Sequence, residues 1–296
     1  MLMKTAPHQP SFLYKLFSLF SVLRGYNLIV IVLAQLLSAV FIFAPEFAPL
    51  QTLAEAHLWL LVFASAACVA GGYIINNFFD TEKDLINRPQ KTLLEQHISA
   101  PTKLTVYFVL NTLMVLLALW VSVRAALFFV FYALLIALYS YKIERMLFLR
   151  NLLSAFLAIA PFLAIALYFK NFSALVLVFA SYLFLMICIR ELVKDLENLQ
   201  GDLILNYKTL PVVYGTVATQ LFISFLTLVL LGNLWVLLQR FELGAMQYYF
   251  WVSLPVWLLF LGLLWKSTHK KHYLSLHSLL KVLILCGIVS IVLLKV

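Results

Sequence analysis

The sequence predicts an all-α, polytopic membrane protein with nine spanning helices, and three observations predict it. Of the 296 residues, 65% are hydrophobic and 11% are charged, and the mean hydropathy is +1.02. Soluble globular chains are roughly 45–50% apolar and about 25% charged. The apolar residues are gathered in nine long windows, and most basic residues lie between these windows on one side of the predicted membrane. The bilayer is therefore the solvent of this chain.

The predicted elements begin with an interfacial helix at 12–23, which leads into the first spanning window. Each window is about long enough to cross ~30 Å of hydrocarbon. In chain order the windows are 27–43, 53–79, 105–123, 125–141, 152–169, 173–190, 217–238, 246–265 and 273–294. Gly71 and Gly72 in the second window allow close helix packing. We expect residues 1–296 to form a single domain.

The distribution of lysine and arginine predicts the orientation of the chain. With a cytoplasmic N-terminus, the segments on that side hold 16 of the 21 basic residues and the opposite side holds 4. The remaining residue, Lys281, lies within the last window. Cytoplasmic loops of membrane proteins carry an excess of basic residues. The net charge of +9 is therefore ascribed to these loops, and we expect membrane lipid but no nucleic acid as a partner.

Two polar stretches, at the ends of the second and sixth windows, hold all four aspartates of the chain. In the first stretch, 76–91, Asn76, Asp80 and Asp84 are spaced i, i+4 and i+8. On a continuous α-helix these three side chains lie along one face over roughly two turns. Carboxylate and amide oxygens are ligands for a hard cation such as Mg²⁺, so the stretch is a candidate metal site.

The second stretch, 190–211, repeats this arrangement. Asp195, Asn198 and Asp202 also share one face if the helix continues through Gly201. Four spans separate the two stretches, which suggests a pseudo-repeat of spans 1–4 and 5–8. Both stretches end on the cytoplasmic side in the predicted topology. Two facing carboxylate stripes at that end predict a binuclear Mg²⁺ site for a diphosphate.

These motifs resemble those of the UbiA superfamily of intramembrane prenyltransferases, over essentially the whole chain. The stretches at 76–91 and 190–211 are similar to the first and second aspartate-rich motifs of that superfamily. Tyr139, Ser140 and Lys142 resemble a Tyr-Ser-x-Lys element after the fourth helix, and Arg24 with Asn27 resembles the pair that opens the first. A bundle of nine transmembrane helices is the fold that this resemblance implies.

The resemblance implies Mg²⁺-dependent transfer of a prenyl group from a polyprenyl diphosphate donor to a lipophilic acceptor. The active site would lie on the cytoplasmic side of a bacterial or archaeal cell membrane. The implied metal ligands are Asp80, Asp84, Asp195, Asp202 and Asn76, which would hold two ions with the diphosphate. The implied catalytic residues are the same four aspartates with Lys142 and Tyr139. The implied substrate-binding residues are Arg24, Asn27, Asn76, Arg88, Lys91, Lys194, Asn198 and Lys208. The sequence departs from the family pattern at Asn77 and Asn198, where many members have aspartate, and each change removes a negative charge.

Within the superfamily, the chain resembles the branch that makes digeranylgeranylglyceryl phosphate. That branch shares the run Asp-x-x-x-Asp-x-x-Asn-Arg-Pro, found here from Asp80 to Pro89. The implied acceptor is a geranylgeranylglyceryl phosphate-like lipid, and the cluster of Lys142, Arg145 and Arg150 would supply cations for its phosphate. An aromatic acid such as 4-hydroxybenzoate, or a quinone precursor, is the alternative acceptor.

Two other classes of membrane protein also carry acidic residues in their spans. In a cation transporter, acidic side chains are expected near the bilayer midplane on discontinuous helices. Here they lie at helix ends beside basic residues, which suits a diphosphate better than a bare cation. CDP-alcohol phosphatidyltransferases carry an Asp-Gly-x-x-Ala-Arg run that this sequence lacks. Both observations favour a prenyltransferase.

Overall fold

The computed structural model describes residues 12–295, and every regular element in that range is a helix. The long helices are joined at one end of the bundle by short ones. In chain order the α-helices are α1 (Phe12–Val22), α2 (Gly25–Ser38), α3 (Pro49–Leu53), α4 (Ala56–Phe79), α5 (Thr81–Asn87), α6 (Pro89–Glu95), α7 (Ala100–Val121), α8 (Val123–Tyr141), α9 (Leu149–Phe169), α10 (Ala174–Glu197), α11 (Leu199–Ile204), α12 (Leu210–Arg240), α13 (Gln247–Lys266) and α14 (Lys270–Ser290). A π-helical turn, Ala39–Phe43, extends α2, and short 3₁₀ helices span Ile143–Arg145, Gly244–Met246 and Ile291–Lys295.

Nine of the described helices are long and apolar enough to cross a membrane, which confirms the predicted number. The helix α1 confirms that the segment predicted at 12–23 is helical, and its interfacial position stays a prediction. One span is longer than expected at the end that carries the motifs. The helix α10 continues to Glu197, where the prediction ended at 190. The helix α12 begins at Leu210 but is kinked at Gly215, which has φ 85° and ψ 168°, so its long part begins close to the predicted 217. The polar end of α10 can be helical because Glu191 and Asp195 are buried in protein and do not face lipid.

The core of the bundle is built around α4 and α10. Protein covers 61% of the spanning window of α4 and 56% of that of α10, but only 11% of that of α7. The helix α4 packs against α7 and α8, and α10 packs against α9, α12 and α14. A Cβ at Gly72 would lie 2.8 Å from Ile136 Cγ2, so the predicted close packing at this glycine is confirmed. The two most enclosed helices are the ones that end in the polar stretches.

Each polar stretch bends where the sequence predicted a straight helix. The helix α4 ends at Phe79, and Asp80 has φ −96° and ψ 2°, after which α5 begins. In the same way α10 ends at Glu197, and Asn198 has φ −97° and ψ 7° before α11. Short polar side chains are common in this bridge region of the backbone. The prediction of one continuous helical face is therefore wrong for both stretches.

Candidate active site

Hydrogen bonds cross both bends and fix the geometry of the two motifs. The Asp80 amide donates to the Asn76 carbonyl over 2.9 Å, and the Asp84 amide donates to the Asp80 carbonyl over 2.8 Å. Across the second bend, the Asp202 amide donates to the Asn198 carbonyl over 3.1 Å. These i to i−4 bonds cross the residues that interrupt the two helices. The polar helices that follow, α5 and α11, contact each other.

The contact between α5 and α11 depends on a glycine. A Cβ at Gly201 would lie 2.4 Å from the side-chain nitrogen of Asn87, which is buried. The Asn87 carbonyl also accepts a hydrogen bond of 2.9 Å from Lys270 Nζ at the start of α14. The glycine in the second motif therefore lets the first motif approach it closely.

The two aspartates of the second motif are fully buried and are paired with cations. Arg150, at the start of α9, places Nη2 3.1 Å from Asp195 Oδ1. Lys83, on α5, places Nζ 3.1 Å from Asp202 Oδ1, and Arg150 Nη1 lies 3.9 Å from Asp202 Oδ2. Asn151 donates to Asp195 Oδ2 over 2.8 Å. The ion pair between Lys83 and Asp202 directly joins the first motif to the second.

A glutamate that the sequence analysis did not single out completes this cluster. Glu144 Oε1 lies 3.4 Å from Lys83 Nζ and 4.0 Å from Arg150 Nη2. Burial alone would raise the pKa of Glu144, but attraction to Lys83 and then Arg150 holds it below its usual value. Burial likewise lowers the pKa of Lys83, but attraction to Glu144, Asp202 and Asp80 together outweighs this and raises it to about 12. Both groups are therefore charged at neutral pH.

The first motif has an aspartate whose charge is not compensated. Asp80 is buried, and its Oδ2 accepts a hydrogen bond of 2.7 Å from Asn76, whereas its Oδ1 has no partner in the part of the chain described. Burial, followed by repulsion from Glu144, raises the pKa of Asp80 to about 8. Asp84 is only partly buried and forms no ion pair within 4 Å among residues 12–295.

These residues fit a hard divalent cation by their chemistry. Four buried carboxylates, those of Asp80, Glu144, Asp195 and Asp202, face only two buried cations. Carboxylate oxygens without a hydrogen-bond partner are ligands that Mg²⁺ prefers, and the side-chain oxygen of Asn198 is also buried without a partner within the described range. Among residues 12–295, however, no three acidic, histidine or cysteine side chains form a ready metal-binding group. Lys83 and Arg150 lie between the carboxylates in this structure.

The predicted substrate-binding residues divide into three groups. Near α1 and α4, the Arg24 guanidinium lies 4.9 Å from the centre of the Tyr73 ring, and Asn27 donates to the Tyr73 hydroxyl over 3.3 Å. Lys91 pairs with Glu95 at 3.3 Å on the same side. This group lies beside the first motif.

The second group lies at the end of α10 and on neighbouring elements. Lys194, on α10, pairs with Glu191, and Arg88, directly before α6, places Nη2 3.0 Å from Glu197 Oε1. Tyr139, on α8, packs against the hydrophobic core and interacts electrostatically with Glu144. Lys194 and Arg88 are therefore bound by acidic neighbours in this structure.

The third group is exposed. Lys142 and Lys208 are exposed and form no ion pair within the described residues. Arg145 is also exposed, and its guanidinium lies 5.4 Å from the centre of the Tyr207 ring. Arg150, in contrast, is 1% exposed and is held by Asp195. The predicted cluster of Lys142, Arg145 and Arg150 is therefore wrong, because Arg150 belongs to the buried site.

An apolar cavity of about 130 Å³ lies deeper in the bundle. It is enclosed by α2, α9, α10, α13 and α14, with residues such as Ile31, Met186, Phe250 and Ile284 in its wall. Met186 lies nine residues before Asp195 on α10, so one helix connects the cavity to the aspartate cluster. A long apolar chain with a polar head matches this arrangement of an apolar cavity and a charged end.

Comparisons with known proteins agree with these features. The UbiA prenyltransferase family model matches residues 28–285. The chain is 34% identical over 169 residues to a digeranylgeranylglyceryl phosphate synthase of Thermococcus gammatolerans, which covers 56% of this chain and 60% of that protein. It is 32% identical over 150 residues to the enzyme of that name from Pyrococcus abyssi, which covers 50% of this chain and 53% of that protein. The chain thus matches little more than half the length of these relatives.

Solved structures share the fold over nearly the whole chain. A structure described as a digeranylgeranylglyceryl phosphate synthase in membranes matches with a TM-score of 0.71 at 24% identity, over 95% of this chain and 99% of that one. A UbiA homologue from Archaeoglobus fulgidus, bound to GPP and Mg²⁺, matches with a TM-score of 0.67 at 13% identity, over 93% of this chain and 99% of that one. At these identities the likeness establishes the fold.

Proposed function

Because the chain belongs to the UbiA prenyltransferase family, we propose that it transfers a prenyl group from a polyprenyl diphosphate to a lipid acceptor with a glyceryl phosphate head. The relatives named as digeranylgeranylglyceryl phosphate synthases support this acceptor class. The protein is an integral membrane protein, and we propose that the aspartate cluster faces the cytoplasm, as the 16 to 4 distribution of basic residues indicates.

One contact carries this proposal. The ion pair of 3.1 Å between Lys83 and Asp202 joins two acidic stretches that lie more than 100 residues apart in sequence. Neither stretch alone has more than two aspartates, whereas together they provide four carboxylates at one end of the bundle. A diphosphate carries several negative charges, so its binding among carboxylates requires a cation between them.

Asp80, Asp84, Asp195, Asp202 and Asn76 would hold Mg²⁺. Bound there, Mg²⁺ neutralises the diphosphate and makes it a better leaving group. Lys83 and Arg150 fix the carboxylates of Asp202 and Asp195 in place. Phosphate oxygens would be contacted by cations around the cluster, namely Lys91, Lys142, Lys194 and Lys208, whereas Arg88 is bound by Glu197 in this structure. Asn198, with its unpartnered buried oxygen, would complete the site.

The remaining candidates would act on the organic part of the substrates. Tyr139 lies between the hydrophobic core and Glu144, where its ring would face the allylic carbocation left after the diphosphate departs. Arg24 and Asn27, both held by Tyr73, would position the acceptor beside the first motif. The donor chain would extend into the apolar cavity.

A competition assay tests this function. Purified protein is given labelled geranylgeranyl diphosphate with geranylgeranylglyceryl phosphate and 4-hydroxybenzoate together, and the products are identified by mass. We expect the label in the glyceryl phosphate product. Label found only in the aromatic product would replace the acceptor class, and transfer to neither acceptor from any prenyl diphosphate would refute prenyl transfer.

A further inference from the structure

A second charged cluster lies on the other side of α10 from the aspartates. Glu197 is its centre, with Oε1 3.0 Å from Arg88 Nη2 and Oε2 2.7 Å from His277 Nδ1 on α14. Arg190 is seven residues before Glu197, which is about two turns, so both side chains leave the same face of the helix. Asp195 is two residues from Glu197 and points roughly 200° away around the helix. The two clusters are therefore separate.

Positive charge exceeds negative charge in this second cluster. The charge of Arg88 acts on Glu197, and the charges of Arg190, Arg88 and Glu197 act on Lys281. Lys281 forms no ion pair within 4 Å in residues 12–295. The only other nearby carboxylate, Glu191, lies 3.6 Å from Arg190 but is also bound by Lys194. The cluster thus has about two positive charges more than its carboxylate can balance.

One buried nitrogen in the cluster lacks an acceptor. Arg190 Nε is buried without a hydrogen-bond partner in the described chain. A buried donor left without an acceptor costs about 1–3 kcal/mol. His277 Nε2 is also buried without a partner there, but a neutral His277 whose Nδ1 donates to Glu197 leaves Nε2 as an acceptor. The excess of positive charge surrounds Arg190, so an anionic ligand would supply the acceptor that its Nε lacks.

The position of Lys281 within a span gives the same indication. It lies eleven residues into α14, which is about 16 Å along the helix from its start, and the residue is exposed at the surface of the described chain. A lysine within a membrane span marks a ligand or a path for one more often than a structural position. The alternative explanation is that its long side chain extends along the surface towards the interface.

Residues one helical turn from the cluster line the apolar cavity. Arg190 lies one turn from Met186 on α10, and Lys281 lies about one turn from Ile284 on α14, and both apolar residues line the cavity. A ligand with its anionic head at the cluster would therefore place an apolar chain in or beside the cavity. Because the cluster has no excess of carboxylates, it requires no metal ion, unlike the aspartate site.

We propose that Arg190 and Lys281 bind the phosphate of the acceptor lipid, with Arg88 and His277 holding Glu197 as the base of this site. The inference rests on the proposed function and adds a location for the acceptor's head group. A phosphomonoester carries about 1.5–2 negative charges at neutral pH, which matches the excess positive charge of the cluster. The guanidinium of Arg190 offers paired donors to phosphate oxygens, and Lys281 adds a point charge.

Steady-state kinetics with the full-length protein in zwitterionic nanodiscs test this site. Arg190→Gln and Lys281→Met should each raise KM for geranylgeranylglyceryl phosphate about tenfold or more, with KM for the prenyl diphosphate changed less than about twofold. Lys281→Arg should restore most of the acceptor KM. Lys271→Met removes an exposed cation from the same helix and should leave both constants unchanged.

Direct binding separates this proposal from the proposed function. Labelled geranylgeranylglyceryl phosphate is bound to the wild type and to each variant without donor, so no transfer is needed. Loss of binding in Arg190→Gln and Lys281→Met supports the site even if the transferred product proves to be aromatic. Folding of each variant is checked by its melting temperature and its donor binding. If folded variants bound the lipid as the wild type does, the site would be refuted.

Two further results would also contradict the site. An equal rise in the KM of donor and acceptor would assign the cluster to the diphosphate. Equal displacement of the labelled lipid by phosphatidylglycerol would assign it to bulk anionic lipid. Displacement of the labelled lipid by unlabelled acceptor but not by phosphatidylglycerol would support the site. So would a Lys281→Met variant that favours the acceptor phosphate over the uncharged prenylglycerol less strongly than the wild type does.

Discussion

Removal of the Lys83 charge should destabilise the protein, because two buried carboxylates depend on it. Lys83 Nζ lies 3.1 Å from Asp202 and 3.4 Å from Glu144, and all three side chains are almost completely buried. At these separations and an effective dielectric constant of about 20, each attraction is worth roughly 5 kcal/mol. The variant Lys83→Met avoids the several kcal/mol needed to bury the ammonium group, so the net loss should be about 3–5 kcal/mol.

This loss should lower the melting temperature of the protein in detergent by roughly 10 °C. The exposed lysine Lys142 provides a matched control, since Lys142→Met removes the same charge from a residue without an ion pair and should shift the melting temperature by about 1–2 °C at most. In the double variant with Asp202→Asn, the effect of Lys83→Met should be smaller, because one of its two partners is already neutral.

Two results would contradict the predicted role of Lys83. If Lys83→Met melted within about 2 °C of the wild type, the lysine would not compensate Glu144 and Asp202, and the joining of the two motifs would need another basis. Equal effects of Lys83→Met in the wild-type and Asp202→Asn backgrounds would show that the two side chains are not coupled.

Three further predictions concern the metal site, the helix contact and the orientation. Asp80→Asn should abolish Mg²⁺-dependent transfer, measured with labelled donor, while the melting temperature stays near that of the wild type, because Asp80 forms no ion pair that the change would break. Gly201→Ala should cost about 1–3 kcal/mol and reduce transfer, since its new methyl group collides with Asn87, and thermal unfolding will report the loss. Cysteines introduced at Thr268 and Glu242, in a background without native cysteines, should react with impermeant reagents from opposite sides, Thr268 from the cytoplasm.

Controls follow from the same geometry. Gly232→Ala, at a helical glycine with nothing within 4 Å of the new Cβ, should not destabilise, so an equal loss at both glycines would contradict the packing argument. Near wild-type turnover of Asp80→Asn with saturating donor would remove Asp80 from the metal site. Labelling of both cysteines from one side would be incompatible with the nine-span topology.

The spans could be predicted because hydropathy is a local property of the sequence. Each window needs only its own residues to be recognised, and the number of spans is correct. The ends were less accurate, because the extension of α10 to Glu197 depends on neighbours that shield its acidic residues. Similarly, the bends at Asp80 and Asn198 depend on α5 and α11 packing against each other, which periodicity alone does not indicate.

The partners of the aspartates could not be predicted from spacing. Lys83 and Arg150 were both counted as loop cations, since a basic residue beside a predicted span usually faces water. The structure buries both, because each meets an aspartate from a distant part of the chain. Glu144 had a weak signal, as an acidic residue directly after the fourth span among basic neighbours, but nothing local connected it to Lys83. The pseudo-repeat of spans 1–4 and 5–8 stays a prediction, although the matching bends agree with it.

The buried ion pairs also divide according to the order in which the ribosome makes the chain. Lys83 and Glu144 both lie in the first half, and Arg150 and Asp195 both lie in the second. Each half can therefore enter the bilayer with its own lysine or arginine already neutralised by an acid from the same half. The pairs of Lys83 with Asp202, Arg88 with Glu197 and Arg150 with Glu144 form only after both halves have been inserted. Lys83 and Arg150 thus need not wait for the other half of the chain to find an acidic partner.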